Sequence, residues 1–148
     1  MPGYSGGKKE NPTYKEVSSG NTGHIEVIEI KFNPNEIGYK NLLDVFFATH
    51  DPTTLNRQGE DKGEQYCSVI FFTNYGQRQE AENFINRLER DRVSNRQIVT
   101  RLEPLKNFFP AENYHQNYYK NNSDKLYCRL IINPKLEKLK KEYAKYLK

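Results

Sequence analysis

Tyr66-Cys67-Ser68-Val69-Ile70-Phe71-Phe72-Thr73 runs through Asn74 into a second stretch, Tyr75 to Arg92, where Ala81, Phe84, Ile85 and Leu88 recur at helical spacing. A third stretch, Gln97 to Glu103, stops at Pro104. A continuous apolar run, then a 3.6-residue period, then a second short run predicts strand, helix, strand. Working outward, Leu42, Leu43, Val45, Phe46 and Phe47 give Tyr39 to Thr49 one apolar face, a second helix. Ile25 to Phe32 before it has strand character and ends at Asn33-Pro34-Asn35. Downstream, Phe108-Phe109-Pro110 leads into an aromatic segment, Ala111 to Lys120, and then an extended stretch, Leu126 to Ile132. Pro134 opens a last helix, Lys135 to Lys148, with Leu136, Leu139, Tyr143 and Leu147 as its stripe. Residues 1–23 read as loop, punctuated by Gly3, Gly6, Gly7, Pro12, Gly20 and Gly23. His50 to Gln65 is a long polar loop, of a kind more often functional than idle. Strands interleaved with helices predict an α+β domain, a two-layer sandwich of a mixed sheet with packed helices. Residues 1–134 form the domain and residues 135–148 an appended helix.

The 148 residues suit one domain. An aromatic share of 13% argues against disorder. The longest apolar runs, Val69-Ile70-Phe71-Phe72 and Val45-Phe46-Phe47-Ala48, are far too short for a membrane span or a secretory signal. Two cysteines cannot build a disulfide scaffold, which points to a cytoplasmic protein with reduced thiols. The net charge of +4 sits in one place: residues 135–148 hold six lysines and two glutamates, and the rest has 17 basic and 17 acidic residues. A neutral body argues against nucleic-acid binding. Single-stranded RNA binding by an aromatic sheet needs basic residues spread over that sheet, and the neutral body speaks against it.

In the first strand, alternation puts Glu26 on one face with Ile28, Ile30 and Phe32. A carboxyl on an apolar face has its pKa raised and can donate a proton near neutral pH; alternatively its head escapes to water at the strand end. Asp61 and Tyr66 lie five residues apart where the long loop meets a strand, and Tyr66 reads as a pocket donor or an ordinary rim residue. His115 is far in sequence from His24 and His50, with no metal-ligand spacing. Cys67 reads as a buried, inert thiol. Cys128 lies between Lys125 and Arg129, whose charges favour a thiolate. No phosphate-cradling glycine loop, Ser-His-Asp spacing or paired-cysteine motif occurs.

Six segments are then identifiable together. Gly3-Tyr4-Ser5-Gly6-Gly7, Asn11-Pro12-Thr13-Tyr14-Lys15-Glu16-Val17, Gly23-His24-Ile25-Glu26-Val27 and His50-Asp51-Pro52-Thr53 resemble motifs of peptide methionine sulfoxide reductase A. So do Asn56-Arg57-Gln58-Gly59-Glu60-Asp61-Lys62-Gly63-Glu64-Gln65-Tyr66 and Phe109-Pro110-Ala111-Glu112-Asn113-Tyr114-His115-Gln116. The resemblance runs from residue 3 to about 135. It implies a ferredoxin-like core, no cofactor or metal, and reduction of the S-epimer of methionine sulfoxide, free or in proteins. In that chemistry a cysteine thiolate attacks the sulfoxide sulfur while a glutamic acid protonates its oxygen. Glu26 matches the acid, Tyr66 and Tyr127 the hydroxyls around the oxygen, and Asp61 the companion carboxylate. Cys128 matches the resolving cysteine, whose disulfide thioredoxin reduces.

Two departures stand out. Where the family reads Gly-Tyr-Cys, this chain has Leu126-Tyr127-Cys128. The family's Gly-Cys-Phe-Trp, which carries the nucleophile and the methyl pocket upstream of Gly-Tyr-Ser-Gly-Gly, is absent, and the chain contains no Trp. The expectation is a truncated reductase domain, without its first strand and helix, that cannot complete the cycle alone. Its variants are a sulfoxide-binding module or a half-enzyme that takes the strand from a partner chain.

Overall fold

The computed structural model describes residues 1–146. Its strands are β1 (Pro2–Ser5), β2 (Ile25–Ile28), β3 (Arg57–Gln58), β4 (Asp61–Lys62), β5 (Val69–Phe72), β6 (Arg101–Pro104) and β7 (Phe109–Pro110). Its helices are α1 (Tyr14–Ser18), α2 (Tyr39–Thr49), α3 (Tyr75–Arg90), α4 (Tyr118–Asn122) and α5 (Asn133–Glu142). The α+β class expected above is what the structure has. The strands are shared among separate sheets: antiparallel β2-β1-β7, the hairpin β3-β4, and the parallel pair β5-β6 joined by α3.

The strand-helix-strand unit forms as read, with shifted edges. Asn74 caps α3 by accepting from the Gln77 N–H at 2.9 Å, and α3 turns Ala81 and Phe84 inward. Both pack on Leu43 of α2, with Phe47, Ile70, Leu88 and Leu102 around them. Phe47 stacks on Phe84 at 5.3 Å between ring centroids. The strand starts late: Glu64–Tyr66 is a 3-10 turn and pairing begins at Val69. Tyr66 therefore does not share a strand face with Ile70 and Phe72.

Residues 1–23 are not all loop. β1 is the central strand of its sheet, and Gly3 is required there because a Cβ would strike the Phe108 ring and lie 2.5 Å from the Phe109 carbonyl oxygen. α1 starts at a reciprocal cap: Thr13 Oγ1 accepts from the Glu16 N–H, and the Glu16 carboxylate accepts from the Thr13 N–H at 2.9 Å. Val17 of α1 is fully buried against Tyr4 and Ala111, a second small core.

Two further expectations are corrected. The face of β2 holding Ile28 is open, not core: Ile28 is 71% exposed and Ile30 beyond it 57%, whereas Ile25 on the other face is buried. The stretch from Leu126 to Ile132 is not extended. Cys128–Ile132 is a wide helical turn leading into α5, with Leu126, Leu130 and Ile131 exposed. α5 starts at Asn133, with Pro134 in its first turn. It docks on α2 by Lys138 Nζ donating to the Ala48 carbonyl (2.7 Å) and the Tyr143 hydroxyl donating to the Asp44 carbonyl (3.3 Å). Leu147, the last member of the expected stripe, lies outside the described residues.

Candidate active site

Glu26 enters the site from β2, held by its neighbour His24. The His24 ring is 2% exposed; its Nδ1 accepts from the Gly7 N–H at 3.2 Å and its Nε2–H donates to the Lys9 carbonyl at 2.8 Å. That arrangement fixes the ring's orientation and pins the start of β2 to the Gly6-Gly7 turn. Across the sheet, Glu26 is paired in register with Tyr4 of β1.

Asp61 comes from the hairpin built inside the long polar loop. Gln58 Oε1 accepts from the Asp51 N–H and Gln58 Nε2 donates to the Asp51 carbonyl, both at 2.9 Å, so one amide holds the hairpin base. Gln58 is itself paired with Asp61, across a turn where Gly59 takes φ +61°. Tyr66 ends the 3-10 turn that follows. That turn is tied to α1 by Gln65 Nε2 donating to the Ser18 carbonyl at 3.1 Å.

Tyr127 and Cys128 arrive from the start of the wide helical turn. Tyr127 is half exposed and Cys128 fully buried. The charged flanks of Cys128 in sequence therefore do not place its sulfur in solvent. The expectation for Cys67 is also corrected: it is only half-buried, and Arg101 Nη2 donates to its sulfur at 3.1 Å. Desolvation still raises the Cys67 thiol above its usual range.

These segments converge. Desolvation raises the Glu26 pKa, and the Asp61 charge raises it further. Glu26 as a residue is solvent-exposed; the crowding is at its carboxyl, so the cause is not the apolar strand face that periodicity suggested. Desolvation likewise raises Tyr66, with Glu26, Tyr14 and Asp61 contributing. It raises Tyr127, with Asp61, Glu26 and Cys128 contributing. At neutral pH both phenols are therefore O–H donors. The structure thus brings Tyr66 and Tyr127 each within electrostatic range of Glu26 and Asp61, and sets Cys128 within range of Tyr127. It adds Tyr14, the first residue of α1, which sequence reading passed over. The signal for it was the Thr13-x-x-Glu16 capping box, which fixes a helix start at that residue.

Such a set can give a proton from Glu26 to an oxygen and surround that oxygen with phenol donors. Among the described residues, no three His, Cys, Asp or Glu side chains group as metal ligands. A cavity of about 450 Å³ at the end of α3, lined by Glu89, Arg92, Ser94, Asn95, Arg96 and Gln97, shares none of its lining with this set. No helix of the described residues is long and apolar enough to cross a membrane.

The family model described as "Peptide methionine sulfoxide reductase" matches residues 1–147. The chain belongs to the peptide methionine sulfoxide reductase family. A relative from Chromobacterium violaceum, "Peptide methionine sulfoxide reductase MsrA", is 49% identical over 99% of this chain and 84% of its own length. One of the same name from Deinococcus radiodurans is 49% identical, over 99% of this chain and 71% of its own. Among solved structures, reduced Mxr1 from Saccharomyces cerevisiae superposes with a TM-score of 0.79 at 36% identity, covering 86% of this chain and 72% of that one. Methionine sulfoxide reductase A of Corynebacterium diphtheriae gives 0.69 at 30% identity, covering 82% and 66%. The peptide methionine sulfoxide reductases are oxidoreductases, and the resemblance read from the six motifs is borne out at the level of the family.

Proposed function

We propose that this chain carries the acid and donor side of a site that reduces methionine S-sulfoxide, in proteins and as the free amino acid. The observation that carries the reading is the convergence of Glu26, with its raised pKa, on Asp61 and two protonated phenols. Glu26 holds the proton that passes to the sulfoxide oxygen as a thiolate attacks sulfur. Desolvation, with like-charge repulsion from Asp61 added, favours the protonated form of Glu26. Tyr66 and Tyr127 hydrogen-bond the oxygen. Cys128 is the resolving thiol: it attacks the resulting sulfenic acid, forming a disulfide and releasing water, and thioredoxin reduces that disulfide. Because Cys128 is fully buried, its attack requires the 128–132 turn to open. The cytoplasm, where thiols stay reduced, is the compartment this chemistry suits.

Within residues 1–148 neither cysteine stands in a Gly-Cys-Phe-Trp setting. We therefore expect these residues alone to bind the sulfoxide without turning it over. The reaction belongs to residues 1–134, with 135–148 as an appended helix. The test has two arms. NMR titration of the chain with the separate S and R epimers of N-acetylmethionine sulfoxide amide should shift the Glu26, Tyr66 and Tyr127 signals with S only. A turnover assay with dithiothreitol should show no methionine. Equal shifts with both epimers, or none, overturn the site; stereospecific turnover overturns the expected inactivity.

A further inference from the structure

Outside the five residues above, one carboxylate joins segments that are far apart in sequence. Glu112 follows β7. Its Oε2 accepts from the Tyr4 hydroxyl at 2.7 Å, and its Oε1 accepts from the Tyr14 N–H at 2.6 Å. Tyr4 is 2% exposed in the central strand and is the cross-strand partner of Glu26. Partners in an antiparallel pair lie side by side, about 4.5–5.5 Å between Cβ atoms. Tyr14 opens α1 and is close enough to Tyr66 to act on its phenol. The surrounding segment is braced in the same direction: the Ala111 N–H donates to the Pro2 carbonyl at 3.0 Å, Gln116 Nε2 donates to it at 3.2 Å, and the His115 ring lies 4.6 Å from that of Tyr14.

We infer that Glu112 is a positioning residue for this site. Its two carboxylate oxygens clamp Tyr4 beside Glu26 and the head of α1, with Tyr14, beside Tyr66. The geometry divides the work. One oxygen serves β1 and so the acid; the other serves α1 and so the phenols. A charged acceptor suits both arms, because hydrogen bonds to a carboxylate are about twice as strong as neutral ones. The clamp reaches the substrate only through Tyr4 and Tyr14. It deepens the sulfoxide-site reading above and rests on that reading for its effect on binding.

The test compares Glu112→Ala, Glu112→Gln and Tyr4→Phe in the full 148-residue chain. Glutamine keeps an oxygen for the Tyr14 N–H and turns its amide toward the Tyr4 oxygen, so it preserves the clamp without the charge. Two readouts are taken: the NMR titration midpoint of the Glu26 carboxyl, and the dissociation constant for N-acetylmethionine S-sulfoxide amide. In Glu112→Ala the Glu26 midpoint should fall toward the ordinary glutamate value, and the dissociation constant should rise about tenfold, the effect of one charge-assisted hydrogen bond. Glu112→Gln keeps both hydrogen bonds in weaker, neutral form and should fall between the unmodified chain and Glu112→Ala on both readouts. Tyr4→Phe, which loses only the hydroxyl, should lower the Glu26 midpoint and keep the fold. If Glu112→Ala does not fold, the glutamine and phenylalanine variants decide. An unchanged Glu26 midpoint in Glu112→Ala or Tyr4→Phe overturns the clamp, and so does a glutamine variant that falls as far as alanine. If the unmodified chain binds no sulfoxide, the proposed function fails, while the Glu26 midpoints still decide on the clamp.

Discussion

Replacing His24 by phenylalanine separates what the ring's volume does from what its nitrogens do. Phenylalanine keeps the ring in its buried place, edge-on to Phe109, whose centroid is 5.5 Å away. It removes the acceptor for the Gly7 N–H and the donor for the Lys9 carbonyl. Gly7 is buried, and a buried N–H left without a partner costs about 1–3 kcal/mol. Lys9 is exposed, so its carbonyl recovers a water and loses about 0.5–1 kcal/mol at most. The substitution should therefore cost about 1.5–4 kcal/mol. His24→Ala gives up the ring as well and should cost about 3–5 kcal/mol, less than additive if water reaches Gly7 through the vacated space. His24→Asn returns an oxygen to the Gly7 N–H and should cost less than alanine. Urea unfolding with unchanged m-values measures all three. A phenylalanine variant within about 0.5 kcal/mol of the unmodified chain would refute the hydrogen-bond account and leave His24 as a space-filler.

Three other outcomes are expected. Glu26 has a folded pKa above its unfolded one, so the native state holds that proton more tightly, and its contribution to stability is lost as pH rises from the ordinary glutamate range through the raised folded value. Glu26→Gln should gain on the unmodified chain across that window and then level off; urea midpoints that differ by a constant from acid to neutral pH contradict this. Cys67 is half-buried and Cys128 fully buried, so an aromatic disulfide reagent should modify one thiol in the native chain and two after denaturation, with Cys67→Ser abolishing the native reaction. Its rate should climb with alkali, because the Cys67 thiol is raised. Removing residues 135–148 deletes the two hydrogen bonds from α5 to α2 and should cost about 1–2 kcal/mol while leaving sulfoxide binding within twofold; loss of binding would place α5 inside the functional domain.

Legibility in the sequence followed the range of the interactions. α2 forms over Tyr39–Thr49 as its apolar period required, and α3 ends two residues short of Arg92, because long amphipathic helices declare themselves locally. β1 could not be read that way. Pro2-Gly3-Tyr4-Ser5 has no alternation, and it is a strand because β2 and β7 pair with it on either side. α1 is five residues long and was read as loop, although Thr13 and Glu16 form the capping box that marks its start. Leu126 to Ile132 read as extended, but among the described residues no strand pairs with it, and the chain from Tyr127 onward winds helically into Pro134. Alternation and local context singled out Glu26, Asp61, Tyr66 and Cys128 one at a time, but only the motifs joined them into one candidate site. Its members come from β2, the hairpin, a 3-10 turn and the 128–132 turn, and no single-segment periodicity connects them. Tyr14 shows the gap: it lay inside a quoted motif but carried no chemistry of its own until the fold set it near Tyr66.

Why Glu26 is raised matters for what a ligand would do there. Its carboxyl is crowded by protein and repelled by Asp61, yet the residue is still open to water, as are Ile28 on the same strand and Leu126 beside Tyr127. The shift is therefore incomplete in the free chain. A sulfoxide placed over Glu26 removes the remaining water and offers an oxygen that accepts a hydrogen bond from the protonated acid only. Both effects favour the protonated form, so binding must take up protons wherever Glu26 is partly ionised. The dissociation constant for the S-sulfoxide should accordingly rise with pH through the Glu26 titration, by up to tenfold per pH unit, the limit for one proton. Calorimetry in two buffers of different ionisation enthalpy should count a fraction of one proton taken up per ligand, falling to zero in Glu26→Gln. Binding whose strength is the same on both sides of the measured Glu26 titration would mean that Glu26 does not meet the oxygen, and the acid role would have to pass to another group.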